Sequence, residues 1–112
     1  MRRDPKTYLY DIQEAGIRLE RFVVEKCYED YTTDDLLRSA VERQFEIIGE
    51  ALGQLDKVAP DQLKQIFDAG KIIAFRNILI HGYAVVDDRV VWDIIQTKLP
   101  TLRKEVRKLL EM

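Results

Sequence analysis

The chain has 112 residues, room for one ordinary domain with one core. Its 46% hydrophobic and 34% charged residues, with five glycines and three prolines, describe a compact, helix-rich protein and exclude a disordered one. The 18 basic and 20 acidic side chains nearly cancel, so no global field draws nucleic acid in and any anion-binding surface has to be local.

In chain order, period and punctuation agree on helices. Asp4 before Pro5 reads as a cap and a first-turn proline, and Tyr8, Ile12, Ala15, Leu19, Phe22 and Val23 recur behind it at spacings of three and four. The first helix is predicted to run to about Cys27. Tyr31-Thr32-Thr33 then offers a hydroxyl cap to a second helix whose first turn carries two aspartates, where the helix dipole favours negative charge. Leu37, Val41, Phe45, Ile48, Leu52 and Leu55 form its apolar stripe. Pro60 breaks the pattern, Asp61 to Phe67 reads as a short helix, and Ala69-Gly70 reads as a turn. A nearly all-apolar segment, Ile72 to Ile80, follows and is closed by Gly82. Asp87 or Asp88 caps a last helix carrying Val90, Val91, Ile94, Ile95, Leu99, Leu102, Val106, Leu109 and Leu110, which Pro100 is expected to kink.

The expected fold is therefore all-α: residues 1–112 as a single helical domain, an up-and-down four-helix bundle with a short extra helix at Pro60 packed across one end. The lone Cys27 excludes an internal disulfide, fits a reducing compartment and is expected to be a buried small apolar residue. With one histidine and one cysteine no zinc site is expected, and no other metal or cofactor. No apolar stretch approaches the roughly 20 residues that cross a bilayer, and Met-Arg-Arg-Asp-Pro lacks the apolar core of a signal peptide, so the expected place is the cytoplasm, with no membrane partner.

The chemistry is sought in Arg76-Asn77-Ile78-Leu79-Ile80-His81-Gly82-Tyr83, which holds the only histidine. A helix over Ile72 to Ile80 is apolar nearly all round and buried on most sides, interrupted only by Arg76 and Asn77. An unpaired guanidinium there costs several kcal/mol, so Arg76 must meet a carboxylate, line a wet cleft or face an anion brought by a partner. On a helix Asn77 and His81 share a face, whereas Arg76 and His81 are about 140° apart round the axis and about 7.5 Å along it. Arginine offers a planar fork matched to phosphate, and histidine moves protons near neutral pH, so phosphodiester chemistry is the natural candidate. Metal-free cleavage of RNA by its own 2′-hydroxyl needs a base, an acid and positive charge on the phosphorane. One histidine per chain cannot supply both proton carriers, so a nuclease built from this chain is expected to be a symmetric homodimer with its axis near His81.

The octet resembles the motif of HEPN-domain ribonucleases, specifically the HepT-like toxin branch. The opening Met1-Arg2-Arg3-Asp4-Pro5 through Ile12, the Ala40 to Ala51 stretch with Ile48-Gly49-Glu50-Ala51, and the Leu99-Pro100 helix are similar to that branch too, so the resemblance covers nearly the whole chain. It implies a dimerising helical bundle with a metal-independent RNA-cleaving cleft between subunits, and no DNA substrate. By resemblance Arg76 and His81 are catalytic, Asn77 is the supporting polar residue, and Tyr83 is the tyrosine that a partner MNT-type nucleotidyltransferase antitoxin modifies with AMP. A bulky anion two residues from His81 would obstruct the RNA backbone. The alternative is a non-catalytic HEPN module that docks a nucleotidyltransferase.

Plainer readings stand beside these. Arg76 reads equally as a structural ion pair with Glu46 or Glu50. His81 reads as a helix-terminal histidine favoured by the dipole, and Tyr83 as a packing residue. The basic run Lys98, Arg103, Lys104, Arg107 and Lys108 reads as a solvated helix face or, at Lys104, Arg107 and Lys108, as a grip on RNA phosphates.

Overall fold

The computed structural model describes residues 4–81 and 86–112, and every element among them is a helix: α1 (Pro5–Val23), α2 (Tyr28–Thr33), α3 (Asp35–Val58), α4 (Pro60–Leu63), α5 (Ala69–His81), α6 (Asp88–Thr97) and α7 (Leu99–Leu110). α1 starts where the Asp4-Pro5 pair predicts, with Asp4 Oδ1 accepting from the Lys6 N–H at 2.8 Å. It ends at Val23 rather than Cys27. Two β-branched valines give the helix end little support, Val24 leaves the helical region, and Glu25 turns the chain at φ 61°. A competing helix start then takes over, as the Cys27 N–H donates to Asp30 Oδ2 at 2.9 Å. That bond holds the Asp30 carboxyl below its ordinary range. Cys27 is exposed in this capping position, not buried as its residue type suggested.

The threonines expected to cap the second long helix lie in α2 instead. The Thr33 hydroxyl donates back to the Glu29 carbonyl at 2.8 Å and the Thr32 hydroxyl to Asp88 Oδ2 at 2.9 Å. Asp34 is the cap of α3, accepting from the Leu37 N–H at 3.1 Å. α4 is a single turn that stops at Leu63, well short of Phe67. Ala69 and Gly70 form the first turn of α5 instead of a loop, because the Asp68 carbonyl already accepts from the Ile72 N–H at 3.0 Å. At the other end of the chain Asp87 caps α6, and Lys98 alone separates α6 from α7. Lys98 keeps right-handed helical angles and hydrogen bonds on both sides, to the Ile94 carbonyl and from the Leu102 N–H, so the helix predicted with a kink at Pro100 is two segments joined through Lys98.

The bundle is organised around α3, which packs against α1 on one side and α5 on the other, while α7 lies on α1 and α6 rests on α7 and α2. α1 and α3 run antiparallel: Arg18 reaches Gln44 at 3.5 Å, and Tyr8, a helix turn from the other end, borders Ala51 and Gln54. All six residues of the predicted α3 stripe are buried, as are Tyr8, Ile12, Ala15 and Leu19 of α1. Each such Leu, Ile or Phe removed from water contributes about 1.5–3 kcal/mol, far more than any single surface contact in the bundle. Phe45 of α3 meets Phe75 of α5 edge to face, ring centres 5.3 Å apart, which fixes the rotation of α5 on α3. No helix is long and apolar enough to cross a membrane.

One buried polar atom stands out where α2, α3 and α6 meet. Tyr31 is fully buried against Trp92, and its hydroxyl has no hydrogen-bond partner among the described residues. Burial first, then the nearby Glu42 and Asp88 carboxylates, push its ionisation far above the ordinary phenol range, so it stays neutral. Because a hydroxyl left without a partner in a core costs about 1–3 kcal/mol, Tyr31→Phe is expected to leave thermal stability unchanged or raise it. A clear drop in urea midpoint for this variant would show that the hydroxyl has a partner after all.

Candidate active site

α5 buries Ile72, Phe75 and Leu79 against α3, and this seating decides where Arg76 emerges. Its side chain is 26% exposed, and its Nη2 donates to Glu50 Oε2 at 2.7 Å. Nη1 donates to Asn77 Oδ1 at 3.1 Å, and the buried Nε has no partner among the described residues. Of the two glutamates that sequence offered, Glu50 is the partner of Arg76; Glu46 pairs with Arg43 at 3.7 Å. The Glu50 carboxylate is 54% exposed, and an ion pair this wet contributes at most about 1 kcal/mol. It orients the guanidinium without locking it, and a phosphate with two oxygens matched to the fork can compete for the same donors.

Gly49 makes the arrangement possible. A Cβ on Gly49 would lie 2.2 Å from Arg76 Cβ and 2.5 Å from its Cγ, well inside van der Waals contact. The two helices therefore cross with α3 backbone against the stem of Arg76, and only glycine fits there. Sequence reading passed over Gly49 except as part of a resemblance. The available signal was a glycine, which costs a helix about 1 kcal/mol relative to alanine, set beside an otherwise strong apolar stripe and next to a glutamate.

Asn77 and His81 are both exposed, with His81 the last residue of α5. Asn77 spends its side-chain oxygen on Arg76, so in this structure it steadies the guanidinium rather than the histidine. No hydrogen bond or ion pair reaches the His81 ring from the described residues. Tyr83 and Gly82 lie outside the described residues. Arg76 and Ile80 line a groove of about 410 Å³ between α1, α3 and α5, together with Asp11, Arg43, Glu46 and Glu50. His81 is not among the described residues that line it. With three carboxylates against two arginines the groove is not itself an anion trap. Among the described residues no group of three or more His, Cys, Asp or Glu is arranged to hold a metal ion.

Residues 12–109 match the family described as Ribonuclease HepT-like. The chain belongs to the HepT-like ribonucleases. It is 38% identical over 112 residues to the probable ribonuclease HepT of Thermococcus cleftensis, covering 97% of this chain and 98% of the relative. It is 34% identical over 110 residues to a protein of Caldanaerobacter subterraneus provisionally named as an RNase, covering 97% and 96%. A third relative, likewise provisionally named as an RNase, is from Methanocaldococcus jannaschii, 32% identical over 105 residues, 94% of this chain and 95% of that one. No solved structure matches. The all-α bundle is thus a HEPN-type HepT-like fold, and its function is RNase-like.

The basic run of this HepT-like chain lies apart from Arg76. Arg103 is tied to Glu20 and to Gln13 at 3.4 Å, and Lys98 sits 3.6 Å from Asp68, so two of the five cations are neutralised. Lys104, Arg107 and Lys108 are exposed and make no ion pair with the described residues. Arg103, Lys104 and Arg107 edge a second, smaller groove of about 190 Å³ between α1 and α7. On α1, Gln13 and Glu20 face that groove while Tyr8 and Asp11 face the Arg76 groove, roughly 140° round the helix.

If Gly49 sets the position of Arg76, Gly49→Ala must push α5 away from α3. The expected result is a loss of about 2–3 kcal/mol in chemical unfolding, as for other overpacked helix contacts, with a matching loss of RNA cleavage. Retention of full stability and activity by the alanine variant would mean that the helices do not approach this closely.

Proposed function

We propose that this HepT-like protein is the toxin of a toxin–antitoxin pair: a homodimeric, metal-independent RNase of the cytoplasm, acting through Arg76, His81 and Asn77. The observation that carries the reading is the state of Arg76. It is half-sheltered at the mouth of a groove, oriented by Glu50 and Asn77 through contacts weak enough for a phosphate to displace, and it shares a helix with His81, which has no partner among the described residues. A purely structural arginine would be expected to finish with its donors satisfied, yet Nε is left over.

In the proposed mechanism the RNA 2′-hydroxyl attacks the adjacent phosphorus. One His81 takes the hydroxyl proton, His81 of the partner subunit protonates the departing 5′ oxygen, and the products are a 2′,3′-cyclic phosphate and a 5′-hydroxyl end. Arg76 binds the non-bridging oxygens more strongly as charge builds on the phosphorane, and Asn77 holds it there. Two features support a second copy at this place. One subunit has only one histidine, and α5 leaves Ile78 and Ile80 exposed beside His81, at 47% and 36%. Lys104, Arg107 and Lys108 hold the RNA backbone outside the reacting centre.

Removing the proton carrier or the phosphate-binding fork should each reduce RNA cleavage by about a hundredfold or more, while helical circular dichroism and dimer mass are kept. His81→Ala and Arg76→Ala test this, with cleavage followed in the presence of EDTA. Parental rates in either variant would remove that residue from the mechanism.

Regulation completes the reading. A nucleotidyltransferase antitoxin of the MNT type transfers AMP from ATP to the Tyr83 hydroxyl and releases pyrophosphate, placing bulk and negative charge two residues from His81. Intact mass of chain co-expressed with such a partner is expected to rise by one AMP, Tyr83→Phe is expected to abolish the rise, and the modified chain is expected to lose cleavage. A mass increase that persists in the phenylalanine variant would place the modification elsewhere.

The Arg76–Glu50 pair also suits a second reading, a non-catalytic HEPN module that docks a nucleotidyltransferase. In that case purified chain leaves RNA intact, and Arg76→Ala loses stability or partner binding with no cleavage to lose.

A further inference from the structure

Phe67, in the turn between α4 and α5, is 82% exposed, the most of any large hydrophobic residue described. A lone apolar side chain at the surface is ordinary and by itself means nothing. Phe67 differs in how it is held. Its neighbours Ile66 and Asp68 are 3% and 8% exposed, so the backbone is anchored into the bundle on both sides of the ring. Its own N–H donates to Glu105 Oε2 of α7 at 3.2 Å, and Asp68 lies 3.6 Å from Lys98 Nζ at the start of α7. The backbone is ordered while the ring faces water, so the conformational entropy spent at this turn is not repaid by burial of the side chain.

The surroundings are basic and polar, not apolar. Lys108 stands three residues after Glu105, on the same face of α7, and Lys64 stands three residues before Phe67; both are exposed. Asp68 is paired with Lys98, while Glu105, which accepts from the Phe67 N–H, keeps its charge against those of Lys64, Lys71 and Lys108. The result is a local excess of lysine in a chain whose net charge is −2. A protein-docking site wants a contiguous apolar centre, and the exposed residues next to Phe67 in sequence, Lys64, Gln65, Gly70 and Lys71, supply none. A fixed aromatic face flanked by free cations is instead what single-stranded nucleic acid uses, with a base on the ring and phosphates on the lysines.

We propose that Phe67, with Lys64 and Lys108, forms a binding site for single-stranded RNA outside the reacting centre. The inference rests on the RNA-cutting reading above. The thirteen-residue α5 places this turn about 20 Å from His81, so the site grips the substrate strand away from the bond that breaks. It contributes to KM and leaves kcat alone.

The test uses the full chain carrying His81→Ala, which cannot consume the probe, and a fluorescein-labelled single-stranded RNA of mixed sequence followed by anisotropy. Adding Phe67→Ala is expected to weaken binding about tenfold, and Phe67→Tyr, which keeps a stacking face, to restore it. In the cleaving chain Phe67→Ala should raise KM by a similar factor at unchanged kcat, with circular dichroism and oligomer mass as in the parent. Equal affinity of the alanine and parental chains, in a parent that binds and cuts RNA, overturns this site and leaves the RNase reading intact. So does a Phe67→Ala change confined to oligomer mass, which would make Phe67 a protein contact. A parent that neither binds nor cuts RNA overturns both.

Discussion

The approach of α3 to α5 at Gly49 is the constraint on which the candidate site depends. A helix carrying an arginine in an apolar segment has to put that arginine somewhere, and the usual solution is to turn it to solvent. Here Phe75 is pinned inward against Phe45, and Arg76, next in sequence, runs its stem over a backbone that has no Cβ. The guanidinium therefore emerges at the edge of the α3–α5 seam, beside Glu50 one residue further along α3. Burial of the large side chains on this seam outweighs the ion pair severalfold, so packing sets the position and electrostatics only trims the direction. That order of magnitudes leaves Arg76 placed but still able to change partners.

The same seam explains the division of labour along α5. Its inward residues are apolar and its outward ones, Asn77, Ile78, Ile80 and His81, mix polar and apolar character. A helix apolar nearly all round is stable in water only if more than one side is covered. α3 covers one side, and the remaining exposed isoleucines sit beside His81, which the proposed mechanism pairs with a second copy of itself. One unmet demand of packing and one of chemistry thus fall on the same end of the same helix.

Sequence reading captured much of this because its signals are periodic or local. The stripes of α1 and α3 were legible since burial follows the 3.6-residue repeat, and Asp4, Asp87 and the break at Pro60 were legible since capping and proline effects act within one turn. Where local signals competed, reading failed. The Thr32 and Thr33 hydroxyls looked like caps but are drawn to Asp88 and Glu29, one of them a partner 56 residues away. Gly70 looked like a turn but is helical, because the Asp68 carbonyl and the burial of Ile72 hold the first turn of α5. Cys27 looked like core and is a surface cap, since Asp30 three residues on takes its N–H.

For the candidate site, the sequence by itself determined the reagents and their spacing: one arginine, one asparagine and one histidine in an apolar helix, with glutamates at 46 and 50 within possible reach. The choice between those glutamates depends on the rotation of α3 against α5, and that rotation is decided by Phe45, Phe75 and the missing side chain of Gly49. Only the tertiary structure could make that choice, because it is a contact between segments 26 residues apart whose energy comes from shape rather than from any pattern along the chain. The same holds for Phe67. Sequence shows a phenylalanine before an apolar helix, and only the anchoring of Ile66 and Asp68 on either side leaves its ring in water, with Lys64 and Lys108 exposed as well.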